Sequence, residues 1–515
     1  MTNNINDRLQ TIGNNANSNW LLDDGLRRLN FWMFMCLISS YGAGYDGSLF
    51  TGLLTLKPWF AAMFDFSKGP PQPTFIGVIG LSGVVGIIAG PFVGQWISDR
   101  YGRHRAMIVA SFVAIIGGIL TIITLPEPTH QRNLFICARV VISLGGGISM
   151  VAAPVLMTEL SHPRQRPVVA ALYQCGFYLG SVVAAWITFG TNSWASSWSW
   201  RVPCLIQIAP FVVQLAVLWW CPHSPRFLVA QGRIDEAKQV LAKYHANGDM
   251  DDELVAFELN SIVAAVASDK DNHSSFKELV ATKGNRWRTY IIVVLAVVTQ
   301  WGGNGVVSYY LPEVLSSVGV TATRTQAAFN GGLAVFNLIV STSAALMSEK
   351  LGRRPLFITS AVGMFCSFIV ITALSATFAK TGEPGSGRGV IAFLFVFFFF
   401  YDIALTPLAV SYPAEILTYR IRSKGMAVSI STVAVALVFN IFVNPIALAA
   451  IAWKFYLVYV AVLLFFLINV LFLFPETKGK TVEEIQVLFD GANSPDLPEL
   501  SYRGSDSNSL TDVKA

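Results

Sequence analysis

Twelve stretches of about twenty apolar residues recur along this chain, and they decide most of what it can fold into. They run over Phe31–Gly52, Thr74–Ile97, Ala106–Leu125, Leu134–Met157, Val168–Gly190, Val202–Cys221, Tyr290–Leu311, Gln326–Ser348, Pro355–Phe378, Val390–Tyr412, Met426–Ala449 and Trp453–Phe474. A helix of about 20 apolar residues crosses a hydrocarbon core about 30 Å thick. Only 13% of the 515 residues are charged and 53% are hydrophobic. Soluble domains carry about 25% charge, so this chain cannot clothe a water-facing surface, and the expected class is an all-α membrane protein. Glycines inside the spans permit close helix contact and point to a packed bundle.

The composition also excludes several functions. A net charge of +5 from scattered basic residues leaves no nucleic-acid footprint. The six cysteines, Cys36, Cys137, Cys175, Cys204, Cys221 and Cys366, show no paired spacing, so they read as core filler rather than a disulfide or metal framework. No Ser/His/Asp, metal, cofactor or nucleotide constellation is visible, and an enzyme is not expected. Residues 1–30 are polar and asparagine-rich without the layout of a cleavable signal, so the first apolar run is expected to serve as an uncleaved signal.

The runs fall six and six around a hydrophilic gap. Five regions are expected: a tail over 1–30, a first half over 31–221, a linker over 222–289, a second half over 290–474 and a tail over 475–515. Lys and Arg concentrate in loops 2–3, 4–5, 8–9 and 10–11, which places those loops and both termini in the cytoplasm. Within the linker, RIDEAKQVLAKY and DDELVAFELNSIVAAV carry helical periodicity, with Asp251 expected to cap the second. The stretch after Asn493 is rich in Ser, Pro and Asp and reads as disordered.

A repeat is legible in the loops. DRYGRHR (Asp99–Arg105) returns as EKLGRRP (Glu349–Pro355), 250 positions on. Glu159 and Arg166, seven apart, return as Glu415 and Arg422, and CPHSP returns as FPETK. The chain therefore reads as two six-helix halves of the same orientation, related by an axis along the membrane normal. Asp99, Arg100, Arg103, Glu159, Arg166, Glu349, Arg353, Glu415 and Arg422 all lie at span ends on the cytoplasmic side. They are expected to form a gate network, with acids and arginines pairing between the halves. Positive-inside anchoring is the plainer alternative. Such pairs are individually weak, as a latch that opens each cycle requires.

Together these motifs resemble the sugar-porter branch of the major facilitator superfamily over about residues 30–480. The resemblance rests on Gly94, Asp99, Arg100, Gly102 and Arg103, on the two Glu/Arg pairs, on LGRRP and on PETKG. Within that branch GYDGS, QWGGNGVVSYYLP, TPLAVSYPAEI and FNIFVNPIAL are similar to fungal lactose-permease-like transporters. The resemblance implies the major facilitator fold: 12 transmembrane helices in two halves around a central cavity, with a cytoplasmic helical linker. The two-half architecture makes one chain sufficient, so a monomer in the lipid bilayer of the plasma membrane is expected, without cofactors.

Three charges fall within or near the apolar depth: Asp46, Arg139 and Asp402. Buried charges usually pair or face a cavity. The resemblance implies that Asp46 accepts the coupling proton and that Arg139 modulates its affinity, and uniporters tend to lack this acid. A static salt bridge is the alternative. Asp402 is open to three readings, a second protonatable group, a cavity residue or a partner for a backbone or hydroxyl donor, and is assigned no role beyond the cavity.

A sugar site needs amides and aromatic faces. Gln174 of span 5, Gln300, Trp301, Asn304 and Tyr309 of span 7, Asn337 of span 8, and Asn440 and Asn444 of span 11 offer such groups. The resemblance implies sugar contact for the amides of spans 5, 7 and 8, and helix–helix bonding or core packing is the alternative for each. Glycines in span 7 are expected to loosen that helix into a gate. The chain departs from the family at Thr299 (one of two paired glutamines), Gly305 (an asparagine), Val410 (a tryptophan) and His223 (a glutamate, kept as Glu476 in the second half). His223 reads as a neutral surface histidine. The expected function is a proton-coupled sugar importer using alternating access, for a disaccharide such as lactose or cellobiose, or a hexose. The alternatives are transport of a polyol, quinate-like acid or secondary metabolite, and a non-transporting sugar sensor.

Overall fold

The computed structural model describes residues 12, 20, 22–65, 67, 73–271, 276–478 and 482–490. Among them there is helix and turn and no strand. Nine described stretches are long and apolar enough to cross a membrane, and one of these, Lys424–Leu473, holds two helices, Tyr419–Ile451 and Tyr456–Leu473 in their full extent. Span 5 (Arg166–Thr191) is apolar over its last part, Cys175–Thr191. Span 1 (Asp24–Leu53) carries charge in its first turns, Asp24, Arg27 and Arg28. The total is the expected twelve spans. The stretch after Asn493 lies outside the described residues.

Three spans are broken. Span 6 is Trp198–Ile206 and Ala209–Val217, with Pro203 and Pro210 flanking the break. Span 7 is Lys283–Trp301 and Asn304–Ser317. Its hinge residue Gly303 has φ +100°, and a Cβ there would stand 2.3 Å from the Phe368 ring. The loosening expected from the span 7 glycines is present. Span 10 is Pro384–Asp402 and Leu405–Ile416.

Each half packs as a bundle, with span 1 against span 5 and span 4 against spans 2 and 3. Spans 1 and 5 bring their backbones together: a Cβ on Gly44 would lie 1.8 Å from the Phe177 carbonyl oxygen. The halves meet along spans 2 and 11 and along spans 5 and 8. Across this seam Thr51 donates to the Ser308 carbonyl at 2.6 Å, and Tyr178 of span 5 reaches span 10.

The loop repeat is a structural repeat. Gly102 and Gly352 hold nearly the same left-handed conformation, φ 102° and 92°, which only glycine adopts cheaply. Arg103 meets Glu159 at 3.1 Å, and Arg353 meets Glu415 at 3.1 Å. Ser224 donates to Glu159 and Thr477 to Glu415. Arg166 and Arg422 each donate to a carbonyl five residues earlier, of Ser161 and Leu417. The acid–arginine pairs therefore close within each half, not between halves as expected. The reason is local. Each acid ends a span packed beside the span that its arginine begins.

The linker is helical over Pro225–Ala230, Ile234–His245 and Glu253–Asp271. Asp252, not Asp251, accepts the Leu254 amide at 2.8 Å, while Asp251 lies 3.9 Å from Lys238. Span 7 starts at Lys283, inside the expected linker. The linker docks on the first half through His245, whose ring nitrogens meet Glu258 at 2.6 Å and the Leu160 carbonyl at 3.0 Å. Burial works to lower the His245 value, but Glu258 and the carbonyl outweigh it and hold it above the ordinary 6.5. A raised histidine stabilises fully below its unfolded value and loses that contribution as pH rises through the folded one. Docking should therefore loosen on the alkaline side. Hydrogen exchange in 253–271, corrected for intrinsic rate, should rise there, and equal protection from acid to alkaline pH would refute this.

Candidate functional site

Asp46 lies on span 1, deep in the bundle, 18% exposed, with its carboxylate 3.6 Å from Arg139 of span 4. Gln207 donates to its other oxygen at 3.1 Å. Gln207 stands at the break of span 6, and Tyr45 fixes that break by donating to the Pro203 carbonyl at 2.8 Å. The Arg139 guanidinium also covers the Phe50 ring at 4.8 Å, a cation–π contact that holds it in the apolar interior. Its Nε and the Ser143 hydroxyl have no partner among the described residues. The ion pair is thus real but loose, buried on the arginine side and not saturated by hydrogen bonds. Gln207 was missed in the sequence. Its only signal was an amide between two prolines in an apolar run.

The second cluster surrounds the break of span 7. Asn304 donates to the Tyr401 hydroxyl at 3.1 Å, and Tyr401 donates to the Thr299 carbonyl at 3.0 Å. The Asn304 Oδ1 is buried without a partner among the described residues. Trp301 donates from its indole to the Ala436 carbonyl and lies 4.7 Å from the Phe439 ring. The Gln300 carbonyl accepts from Asn440 at 3.0 Å. Asn440 in turn accepts from Asn444 at 2.6 Å, which accepts from Tyr459 at 2.7 Å. Asn440 and Asn444 are each 1% exposed, and this chain of bonds ties spans 7, 11 and 12 together. Gly305 makes room for it, since a Cβ there would stand 1.7 Å from the Asn440 amide. A side chain at 305 and this network exclude one another.

Asn337 lies apart from that network. Its amide faces Asp402 at 3.3 Å across spans 8 and 10. Asp402 follows Tyr401 in sequence, and its own partners are Tyr178 and Thr406. The Gln174, Tyr309 and Glu349 side chains lie outside the described residues. At the linker end Asp99 accepts from Gln95 at 2.9 Å and Arg100 covers the Tyr101 ring at 5.8 Å. Arg166 approaches Glu258 of the linker at 3.8 Å.

Glu476 accepts the Arg353 and Arg354 amides at 2.9 and 3.0 Å, capping span 9. Burial pushes its carboxyl up, but these amides and those of Lys478 and Thr477 hold it below the ordinary range. In the first half His223 takes that place against Gly102. Burial, then Arg105 and Arg233, lower its value, and a histidine supplies no anionic cap to span 3.

The sugar (and other) transporter family profile matches residues 32–489. The chain belongs to that family. This transporter is 29% identical over 89% of its length to the MFS-type transporter oryC of Aspergillus oryzae, 85% of which is covered. It is 26% identical to the high-affinity glucose transporter of Kluyveromyces lactis, over 88% of this chain and 84% of that one. It is also 26% identical to the sugar transporter STL1 of Saccharomyces cerevisiae, over 90% and 82%. Among solved structures it matches the inward-open xylose transporter XylE of E. coli with a TM-score of 0.73 at 21% identity, covering 90% of this chain and all of that one. The major facilitator fold follows from that match, and the family makes the protein a multi-pass membrane transporter rather than an enzyme.

Proposed function

We propose that this transporter is a proton-coupled sugar importer that works by alternating access. The observation that carries the proposal is the carboxylate of Asp46, part-buried in the first half against one arginine and one amide. Arg139 and Gln207 face its two oxygens. When they part from it in an apolar surrounding, the carboxylate takes a proton. Protonation then biases the equilibrium between the outward- and inward-facing states. Relatives named as glucose transporters, and the fold match to a proton:xylose symporter, support the sugar and the proton. In this reading Gln174, Gln300, Trp301, Asn304, Tyr309 and Asn337 contact the sugar. The loop clusters at the linker end are cytoplasmic, within the plasma membrane of a monomer, and brace each half.

Val410, where the family carries tryptophan, suits a disaccharide larger than a hexose. A second reading, a non-sugar polar cargo, draws on the similarity to oryC, whose name specifies no sugar, and on Asn440 and Asn444, whose amides are occupied within the chain. The deciding measurement is uptake of a labelled panel of hexoses, lactose, cellobiose and polyols in transport-deficient cells, with and without an uncoupler. Uncoupler-sensitive accumulation of a sugar is expected. Uptake of polyols alone would select the second reading, and sugar uptake indifferent to the uncoupler would remove the proton.

A further inference from the structure

Asp402 ends the first helix of span 10 and is fully buried. Its Oδ1 accepts from the Tyr178 hydroxyl at 2.5 Å and from Thr406 at 2.7 Å. Its Oδ2 faces the Asn337 amide at 3.3 Å. Thr406 and Asn337 belong to the second half, whereas Tyr178 is on span 5 of the first. The carboxyl is therefore shared between the two bodies that must move apart. The titratable group facing it is the Tyr178 hydroxyl, which itself has Tyr401 as a neighbour. Among its described contacts there is no lysine, arginine or histidine. Asp46 has Arg139, but Asp402 has only neutral partners.

These partners suit either protonation state. Tyr178 and Thr406 donate to Oδ1 in both. The Asn337 amide can donate to Oδ2 of a carboxylate or, turned over, accept from the O–H of an acid. An ion without counter-charge, cut off from water, is costly in a membrane interior. Closure of span 5 onto span 10 thus favours the acid, and parting, which admits water, favours the carboxylate.

We propose that Asp402 is a second proton-binding site, and that its proton is exchanged with water when Tyr178 leaves the carboxyl as the halves separate. The proton passes between water and Oδ2, and no other bond is made or broken. The inference rests on the transport reading for its role in the cycle, but proton binding at Asp402 does not depend on Asp46 or on any sugar.

Infrared difference spectra of the full chain in lipid vesicles, recorded across a pH titration without substrate, test it. A carboxylic-acid carbonyl band is expected in the wild type and in Asp46→Asn and missing in Asp402→Asn. In Tyr178→Phe the band should persist with a displaced titration midpoint. The proposal is overturned if Asp402→Asn loses no band, or if Tyr178→Phe leaves the midpoint unchanged. If Asp402→Asn does not fold, Tyr178→Phe decides alone. Failure of proton-coupled uptake with this band intact would sink the importer reading and leave the site standing.

Discussion

Cells carrying Asp46→Asn are expected to exchange substrate across the membrane but not to accumulate it. The accumulation ratio should fall to about 1, because a carrier with no differential proton affinity shifts no equilibrium. The asparagine keeps the shape of the side chain and can still bond Gln207, but it carries no proton. Counterflow from preloaded vesicles reports exchange, and uptake under an imposed pH gradient reports coupling. Undiminished accumulation in the variant would leave Asp46 as a static ion-pair partner of Arg139.

The largest loss of stability is expected from Gly44→Ala. Its methyl group would stand 1.8 Å from a backbone oxygen of span 5, which cannot turn aside as a side chain does. Overpacking typically costs about 1–3 kcal/mol, and more where backbones must shift. The control is Gly146→Ala, where nothing lies within 4 Å of the added carbon. Thermal unfolding of the purified protein should show a lowered midpoint for the first variant and an unchanged one for the second. Equal midpoints would mean that spans 1 and 5 do not pack this closely in the membrane.

The spans, the twofold repeat and the intramembrane carboxylate of Asp46 were all legible because each is written in a strong local signal. These are lipid-length apolar runs, recurring loop charges and a carboxylate where lipid would forbid one. Arg139 as the partner of Asp46 came from the family resemblance. Partner choice was not legible. Arg103 and Glu159 could be recognised as a motif, yet whether they pair within a half or across halves depends on which spans are neighbours. Asn440 and Asn444 look like sugar ligands in the sequence, whereas the structure engages them with Tyr459 and the Gln300 carbonyl. An amide carries the same letters whether it binds cargo or a neighbouring helix. The break of span 10 at Ile403–Ala404 is marked in the sequence only by Pro407, which cannot donate to the Ile403 carbonyl, and which partners this gives Asp402 could not be read from it.

The docking of the linker has a consequence for observing this molecule at work. The described contacts of helices 225–271 are to the first half, through His245, Arg166 and Asn247 bonded to Asp23. The helix Val482–Asp490 is held to the second half by Arg288, 2.7 Å from Asp490. Each membrane body thus carries its own rigid pointer outside the bilayer. A pair of spectroscopic labels, one on each pointer, would report the angle between the bodies without a probe entering the lipid or the cargo path.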